Sequence, residues 1–167
     1  MNKLRNTIGW ITATWLGVGL LPKAPGTWGS LAAIPFAYIL SVYASSFVLI
    51  AAIIAFFLIG IWASNGVETS TQRKDPGLIV VDEVVGQWIA LLPLTLLSDN
   101  HSPYLFFTTI GVGFLTFRIF DIWKPWPIGY IDKNTPGGLG IMLDDVIAGI
   151  YALIITAALT AGTIFVL

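Results

Sequence analysis

The sequence predicts an all-α integral membrane protein with about five short transmembrane helices and an N-terminal interfacial or re-entrant segment. Of its 167 residues, 56% are hydrophobic and only 10% are charged, and the mean hydropathy is +0.86. A soluble domain carries about a quarter charged residues, so this composition excludes an ordinary soluble protein. Neither a linker nor a repeat interrupts the chain, which predicts one membrane domain over residues 1–167. Cysteine is absent, which excludes thiol catalysis and disulfides.

The first apolar segment, "IGWITATWLGVGLL" at residues 8–21, resembles a signal peptide because Lys3 and Arg5 precede it. Pro22 and Lys23 follow it, however, without a small-residue cleavage pattern, so we expect it to be retained. It is also shorter than the ~20 residues that a spanning helix needs. An interfacial or re-entrant segment packed against the other helices is therefore expected.

The next apolar run, residues 31–63, contains no charged residue. As one straight helix it would extend roughly 50 Å at ~1.5 Å per residue, well beyond the ~30 Å apolar layer of a bilayer. We therefore expect it to fold back at "SVYASS", residues 41–46. Several predicted spans are short, which implies a thinned membrane or shielding by neighbouring helices. The predicted spans are about 29–43, 47–64, 84–97, 104–120 and 145–165.

The distribution of basic residues predicts the orientation. With five spans and a cytoplasmic N-terminus, all eight basic residues fall on one side of the membrane. The opposite loops, "ASS" and "SDNHSP", contain none, so the positive-inside rule places the basic side in the cytoplasm and the C-terminus in the periplasm. The eight are Lys3, Arg5, Lys23, Arg73, Lys74, Arg118, Lys124 and Lys133.

The acidic residues follow the same pattern, since only Asp99, beside the lone His101, is expected on the opposite side. Five of the others abut the cytoplasmic ends of predicted spans. Capping explains one acid at a helix N-terminus, but five carboxylates at one depth repel each other unless a cation binds between them. We therefore predict a metal site, with these acids as ligands and catalytic groups. They are Asp82, Glu83, Asp121, Asp144 and Asp145.

The ligand chemistry favours Mg²⁺, because all the candidate donors are carboxylate oxygens. Asp144 and Asp145 are adjacent on a helix and should point ~100° apart. One of them would contact the ion directly and the other would hold a water or a second ion; the sequence leaves open which is which. The small residue Gly149 should let another helix approach closely, and we expect the same of Gly86 and Gly66.

Two basic residues near this cluster are candidates for binding a phosphate. Arg118 lies three residues before Asp121 and therefore on the same helix face, and Lys124 begins the turn "KPWP". Donors of this kind beside a metal cluster suit a phosphate monoester. The structural alternatives are a simple Arg118–Asp121 ion pair and a Lys124 side chain that snorkels to the interface.

The segment "APGTWGSLAAIP" offers a further anion site. Pro25, Gly26 and Gly29 predict a tight turn, and Thr27 or Ser30 would cap the helix that follows. The free N–H groups of such a helix start bind anions readily, so Thr27 and Ser30 are candidate phosphate ligands. A turn and cap with only a structural role is about as well supported.

The segments "PGTWGSLAAIP", "DPGLIVVDEVVGQW", "FRIFDIWKPWPIGYID" and "GGLGIMLDDVIAGIYA" together resemble the motif set of the phosphatidylglycerophosphatase A family. They occur in order over about residues 21–152. The resemblance implies a bacterial inner-membrane, Mg²⁺-dependent lipid phosphatase that converts phosphatidylglycerophosphate to phosphatidylglycerol and phosphate. It also adds Asp75, as a possible second layer of the site, whereas Lys23 matches no fixed position. The matching polar positions are Asp75, Asp82, Glu83, Arg118, Asp121, Lys124, Asp144 and Asp145.

The expected mechanism is metal-assisted hydrolysis in which Arg118 and Lys124 offset charge on the phosphoryl oxygens. Attack by water and an aspartyl-phosphate intermediate both remain open, as do the general base, the number of ions and the oligomeric state. The alternative function is a small ion or proton-coupled transporter, because intramembrane ionisable residues are also typical of that class. It is disfavoured since the charges gather at one face and no predicted span carries one near its middle.

Overall fold

A computed structural model describes residues 3–97 and 102–166, and every regular element in those ranges is helical. The predicted all-α class is confirmed. Asp99 and His101, predicted for the loop opposite the basic side, lie outside the described residues. The helices are α1 (Lys3–Ala13), α2 (Pro25–Ile39), α3 (Ser46–Thr71), α4 (Val81–Ala90), α5 (Pro103–Trp123), α6 (Ile128–Asn134) and α7 (Gly137–Val166).

Four of these stretches are long and apolar enough to cross a membrane. After α2 the chain continues through a π-helical turn, Leu40–Ala44, and becomes extended at Ser45. The Ser45 hydroxyl accepts a hydrogen bond from the Val48 N–H at 3.4 Å and so caps α3. The reversal therefore lies within residues 41–46, as predicted. The four stretches are Pro25–Ala44, Ser46–Thr71, Pro103–Trp123 and Gly137–Ile164.

The predicted third span, residues 84–97, is not one helix. It consists of α4 and a 3-10 turn, Leu92–Leu96, and neither piece is among the four long helices. Pro93 explains the break, because proline has no N–H to continue the α-helical pattern and disfavours helical geometry in the residue before it. The segment nevertheless runs the length of the bundle, since its 3-10 turn contacts the π-helical turn at the far end of α2.

Helix α4 forms the centre of the bundle, where it packs against α2, α3, α5 and α7. All of its residues except Glu83 are buried. The Trp88 ring meets Phe56 at 5.2 Å, and its indole N–H donates to the Ala33 carbonyl at 3.0 Å, so the polar edge of this buried ring is satisfied. This packing fixes α4 and places its acidic first turn at one end of the bundle.

The N-terminal segment inserts into the bundle and returns. Helix α1 packs on α3, and the chain then reverses through left-handed conformations at Trp15 and Leu16. The Trp15 ring is buried edge-on against the rings of Phe36, Phe56 and Trp88, at 5.2 to 5.8 Å. Because Trp15 contacts three other helices, the structure favours a re-entrant N-terminal segment over a segment that lies along the membrane surface.

Helix α7 begins earlier than predicted. It begins at Gly137, about two turns before Asp144, and the Asn65 side chain of α3 accepts a hydrogen bond from the Gly138 N–H at 2.8 Å. The prediction that Asp144 and Asp145 open this helix was therefore wrong. Interaction with the helix N-terminus does not explain the pair, because that effect fades after the first turn.

Candidate metal and phosphate site

Three carboxylates from two helices converge at one end of the bundle. Asp82 and Glu83 occupy the first turn of α4, and Asp145 faces them from α7, with one oxygen of each within 4.8 Å of the others. Asp145 is only 2% exposed. One oxygen of each side chain is buried without a hydrogen-bond partner among the described residues. Mutually repelling oxygens that lack donors suit a hard divalent cation, so this donor set fits Mg²⁺. We call these three residues the carboxylate cluster.

The cluster exists because α4 and α7 touch through glycines. A methyl group placed on Gly149 would lie 2.6 Å from the Gly86 carbonyl oxygen, and one on Gly86 would lie 2.7 Å from the Asp145 carbonyl oxygen. The prediction of close helix approach is confirmed at both glycines. It was wrong for Gly66, where an added methyl group meets no atom of the described structure within 4 Å.

The two adjacent aspartates have different partners. Asp145 joins the carboxylate cluster, whereas one oxygen of Asp144 accepts a hydrogen bond from Lys124 Nζ at 2.7 Å. Lys124 Nζ also lies 3.0 Å from Asp132 Oδ1 on α6. Burial lowers the pKa of Lys124, but the hydrogen bonds and charges of Asp144 and Asp132 outweigh burial and hold that pKa above its usual range. Lys124 is therefore a stable cation beside the cluster.

The position of Lys124 follows from the end of α5. Its backbone adopts a left-handed conformation with φ 45°, and its N–H donates to the Phe120 carbonyl at 2.8 Å to close the helix. A non-glycine residue in this conformation costs roughly 1–2 kcal/mol, which the two ion pairs help to offset. Sequence reasoning missed Asp132, because only the tertiary contact between α6 and the end of α5 distinguishes it from an exposed loop acid.

Asp121 lies outside the carboxylate cluster. It forms an ion pair with Arg118 on the same face of α5, which is the structural alternative considered for this pair. Arg118 Nη1 also lies 3.9 Å from Glu83 Oε1 and donates to Ser30 Oγ at 3.4 Å. Arg118 thus joins α2, α4 and α5 beside the cluster, and its guanidinium can reach a ligand bound at Glu83.

The start of α2 approaches the same region. Gly26 lies directly against the Glu83 carboxylate, which would overlap a methyl group added there. The predicted caps were wrong: the cap residue is Ala24, and Ser30 Oγ instead donates to the Gly26 carbonyl at 3.0 Å. Within the described structure the Thr27 side chain makes no hydrogen bond or ion pair. Ser30 therefore contacts the site through Arg118, and the helix start contributes its backbone.

Asp75 lies in the loop before α4 and is exposed. Its backbone N–H donates to Glu68 Oε1 at 2.9 Å, and its carboxyl group interacts electrostatically with Lys124 and Asp132. It is therefore placed on the Lys124 side of the site. Its predicted role in a second layer stays a prediction.

Comparison with known proteins gives a family match over most of the chain. The sequence pattern of a family described as Phosphatidylglycerophosphatase A matches residues 11–160. The Phosphatidylglycerophosphatase A of Escherichia coli K12 is 37% identical over 90% of this chain and 83% of its own length. The Phosphatidylglycerophosphatase A of Haemophilus influenzae Rd is 38% identical over 89% of this chain and 86% of its own length. A "Putative phosphatidylinositol-3-phosphatase" from Bacteroides thetaiotaomicron is 40% identical over 88% of this chain and 90% of its own. No solved structure matches.

Proposed function

Because the chain belongs to the phosphatidylglycerophosphatase A family and is a phosphatase, we propose that it hydrolyses phosphatidylglycerophosphate to phosphatidylglycerol and inorganic phosphate. The supporting observation is the carboxylate cluster, flanked by Arg118 near the end of α5 and by Lys124, the residue that closes the same helix. The transporter alternative is not retained, because the family pattern and the relatives all describe phosphatases.

Mg²⁺ is the proposed cofactor, held by Asp82, Glu83 and Asp145. The unpartnered buried oxygens of Asp82 and Asp145 support this assignment, because a buried carboxylate oxygen normally has a donor or a metal. When bound, such an ion polarises a phosphoryl oxygen and lowers the pKa of a bound water. Asp121 and Asp144 are assigned instead to holding Arg118 and Lys124.

Arg118 and Lys124 are the proposed phosphate ligands. Each is held by carboxylates in the described structure, so an entering phosphate monoester would exchange some of those contacts for its own oxygens. Arg118 presents several donors in a fork that matches phosphate geometry. The backbone N–H groups at the start of α2, beside Gly26, add partial positive charge on the same side.

In the proposed reaction a water oxygen forms a bond to phosphorus as the bond from phosphorus to the glycerol oxygen breaks. The water proton passes to a carboxylate, and the leaving oxygen takes up a proton as phosphatidylglycerol departs. Asp144 is the proposed base, because one of its oxygens is held by Lys124 and the other is buried without a partner among the described residues. Lys124 and Arg118 stabilise the charge on the phosphoryl oxygens as the bonds change.

The end of the bundle that holds the site is proposed to face the cytoplasm of a bacterial inner membrane. Of the described basic residues, Arg73, Lys74, Lys124 and Lys133 all lie in segments at this end, which is the bias expected inside. Helix α7 runs from this end to the opposite one, so the C-terminus is proposed to be periplasmic. A reporter fused after residue 167 should read periplasmic, and a cytoplasmic reading would remove this topology.

A second lipid is also a candidate substrate. The Bacteroides relative named as a putative phosphatidylinositol-3-phosphatase matches this chain as well as the others do, and phosphatidylinositol 3-phosphate is also a lipid phosphomonoester. The site would bind the phosphate group of either lipid with the same residues. The second candidate function is therefore hydrolysis of a phosphoinositide 3-phosphate.

The test is phosphate release by the purified protein from each lipid in detergent micelles. We expect hydrolysis of phosphatidylglycerophosphate that EDTA abolishes and added Mg²⁺ restores. Preference for phosphatidylinositol 3-phosphate would select the second substrate. Full activity in EDTA, or in a folded Asp145→Asn variant, would refute the proposed metal site.

A further inference from the structure

Gln87 is a fully buried polar residue to which the reaction above gives no role. It lies in the central helix α4 with an exposed fraction of 0%, and neither its amide oxygen nor its amide nitrogen has a hydrogen-bond partner among the described residues. Buried amide groups are nearly always hydrogen-bonded, to protein or to an ordered water. An apolar side chain of similar length would fill this position without the cost of burying a polar group, so the amide is expected to have a partner.

Gln87 lies close to the carboxylate cluster. It follows Glu83 by four residues, so it lies on the same face of α4 one turn deeper in the bundle. Glu83 contacts Gly26 of α2 and Arg118 of α5, which shows that this face is turned towards those two helices. On α2, Ser30 lies one turn beyond Gly26 and accepts a hydrogen bond from Arg118. Gln87 therefore faces the layer directly beneath the carboxylate cluster.

Two more polar atoms in this layer lack partners among the described residues. They are Arg118 Nε, which is a donor, and Glu83 Oε2, which is an acceptor. The Gln87 amide provides two N–H donors and one acceptor oxygen. A buried water typically makes about three hydrogen bonds to otherwise unsatisfied groups. One water can accept from Arg118 and Gln87 and donate to Glu83, so it satisfies groups from all three residues.

We propose that Gln87 is a positioning residue that holds, with Glu83 and Arg118, a buried water one helical turn beneath the carboxylate cluster. The water fixes one oxygen of Glu83 and leaves the other directed at the cation. It also fixes the Arg118 guanidinium at Nε, which leaves the outer nitrogens for the phosphate. The link to cation and phosphate rests on the proposed function, but the polar layer itself does not.

The test compares Gln87→Met, which keeps the length of the side chain but removes its hydrogen bonds, with the intact protein. Mg²⁺ affinity is measured from the rise in Tm on titration with Mg²⁺, and kcat and KM are measured on the preferred lipid. We expect the Mg²⁺ midpoint to weaken or kcat to fall by about 10–100-fold, as for other residues that orient metal ligands. Without Mg²⁺ the Tm should stay equal or fall slightly, because methionine fills the same volume and only the hydrogen bonds to the water are lost.

The matched control is Thr160→Val, another substitution of a buried polar residue. Thr160 bonds Thr109 at 3.0 Å in the α5–α7 contact away from the site, so this variant should lose Tm and keep the normal Mg²⁺ midpoint and kcat. Should Gln87→Met fail to fold, Gln87→Leu takes its place, since it also removes the hydrogen bonds of the amide without adding a charge. It should show the same weakening.

The possible outcomes separate the two ideas. A folded Gln87 variant with a normal Mg²⁺ midpoint and normal kcat would overturn the role given to Gln87, although the enzyme itself would stand. A protein with intact Gln87 that neither binds Mg²⁺ nor hydrolyses either lipid would instead overturn the proposed function. A lower Tm in the variant with unchanged Mg²⁺ binding would show that Gln87 only supports the fold.

Discussion

The contact between α4 and α7 gives the most specific prediction, because a single methyl group should separate the proposed metal ligands. In Gly149→Ala the new methyl group would lie 2.6 Å from the Gly86 carbonyl oxygen and 3.0 Å from its Cα. Carbon atoms pack at about 3.5–4.0 Å, so the helices must move apart by roughly 0.5–1 Å. Both atoms belong to the backbone, and a side-chain rotation cannot relieve the overlap.

The displacement acts directly on the carboxylate cluster. Asp145 lies one turn before Gly149 on α7, so it should move away from Asp82 and Glu83 with the helix. A misplacement of about 1 Å in a reacting constellation can cost around 10²-fold in rate. Overpacking of a close contact typically costs about 1–3 kcal/mol in stability. We therefore expect a folded protein of lower Tm with kcat reduced roughly 100-fold.

The assay measures phosphate release and thermal unfolding in detergent, with Gly162→Ala as the control. Gly162 lies on the same helix, and an added methyl group there meets nothing in the described structure within 4 Å. Alanine is favoured over glycine inside a helix by roughly 0.5–1 kcal/mol, so the control should be equally or more stable and fully active. Normal kcat in Gly149→Ala would refute the idea that this contact sets the ligand geometry.

Three further predictions concern the groups around the cluster. Gly26→Ala should lower activity with little loss of Tm, because its methyl group would displace the flexible Glu83 carboxylate rather than backbone; normal activity would argue against a fixed Glu83. Mg²⁺ at about 100 times its Kd should stabilise the intact protein by about 2.7 kcal/mol and leave Asp145→Asn much less stabilised, as read from Tm with and without the ion. Lys124→Met should destabilise the fold by roughly 3 kcal/mol, because it leaves the buried Asp144 carboxylate unpaired. Asp132→Asn keeps the pair of Lys124 with Asp144, so it should destabilise the fold less and lower kcat less than 10-fold. Equal denaturant midpoints for the two variants would contradict this ranking.

Much of the architecture follows from local features of the sequence. Long uncharged runs predict spans, and the length of the run at 31–63 forces a reversal that the structure places at Ser45. The predictions that were wrong concern places where a single residue overrides the hydropathy pattern. Pro93 divides the third apolar segment, and α7 starts at Gly137 because Asn65 of another helix caps it.

The candidate site was predictable as a set of residues but not as a set of roles. Spacing along the chain predicts that the acids lie at one end of the bundle, and the structure brings Asp82, Glu83 and Asp145 within 4.8 Å of one another. Whether an acid faces the cluster or a cation depends on the rotation of each helix about its axis, and the glycine contacts between helices set that rotation. Asp132 became visible only once α6 was folded against the end of α5.

The adjacent pair of aspartates illustrates why both residues are needed. A single acid at this depth of α7 could contact either the cluster or Lys124, but not both, since a helix turns its side chains by ~100° per residue. Two consecutive acids reach both, so Asp145 contributes an oxygen to the carboxylate cluster and Asp144 holds the Lys124 cation beside that cluster. The helix then sets the separation between the proposed metal and the proposed phosphate ligand. If either acid were moved by one position along α7, its side chain would turn by ~100° and lose its present partner. The positions of the two acids therefore matter more than their combined charge.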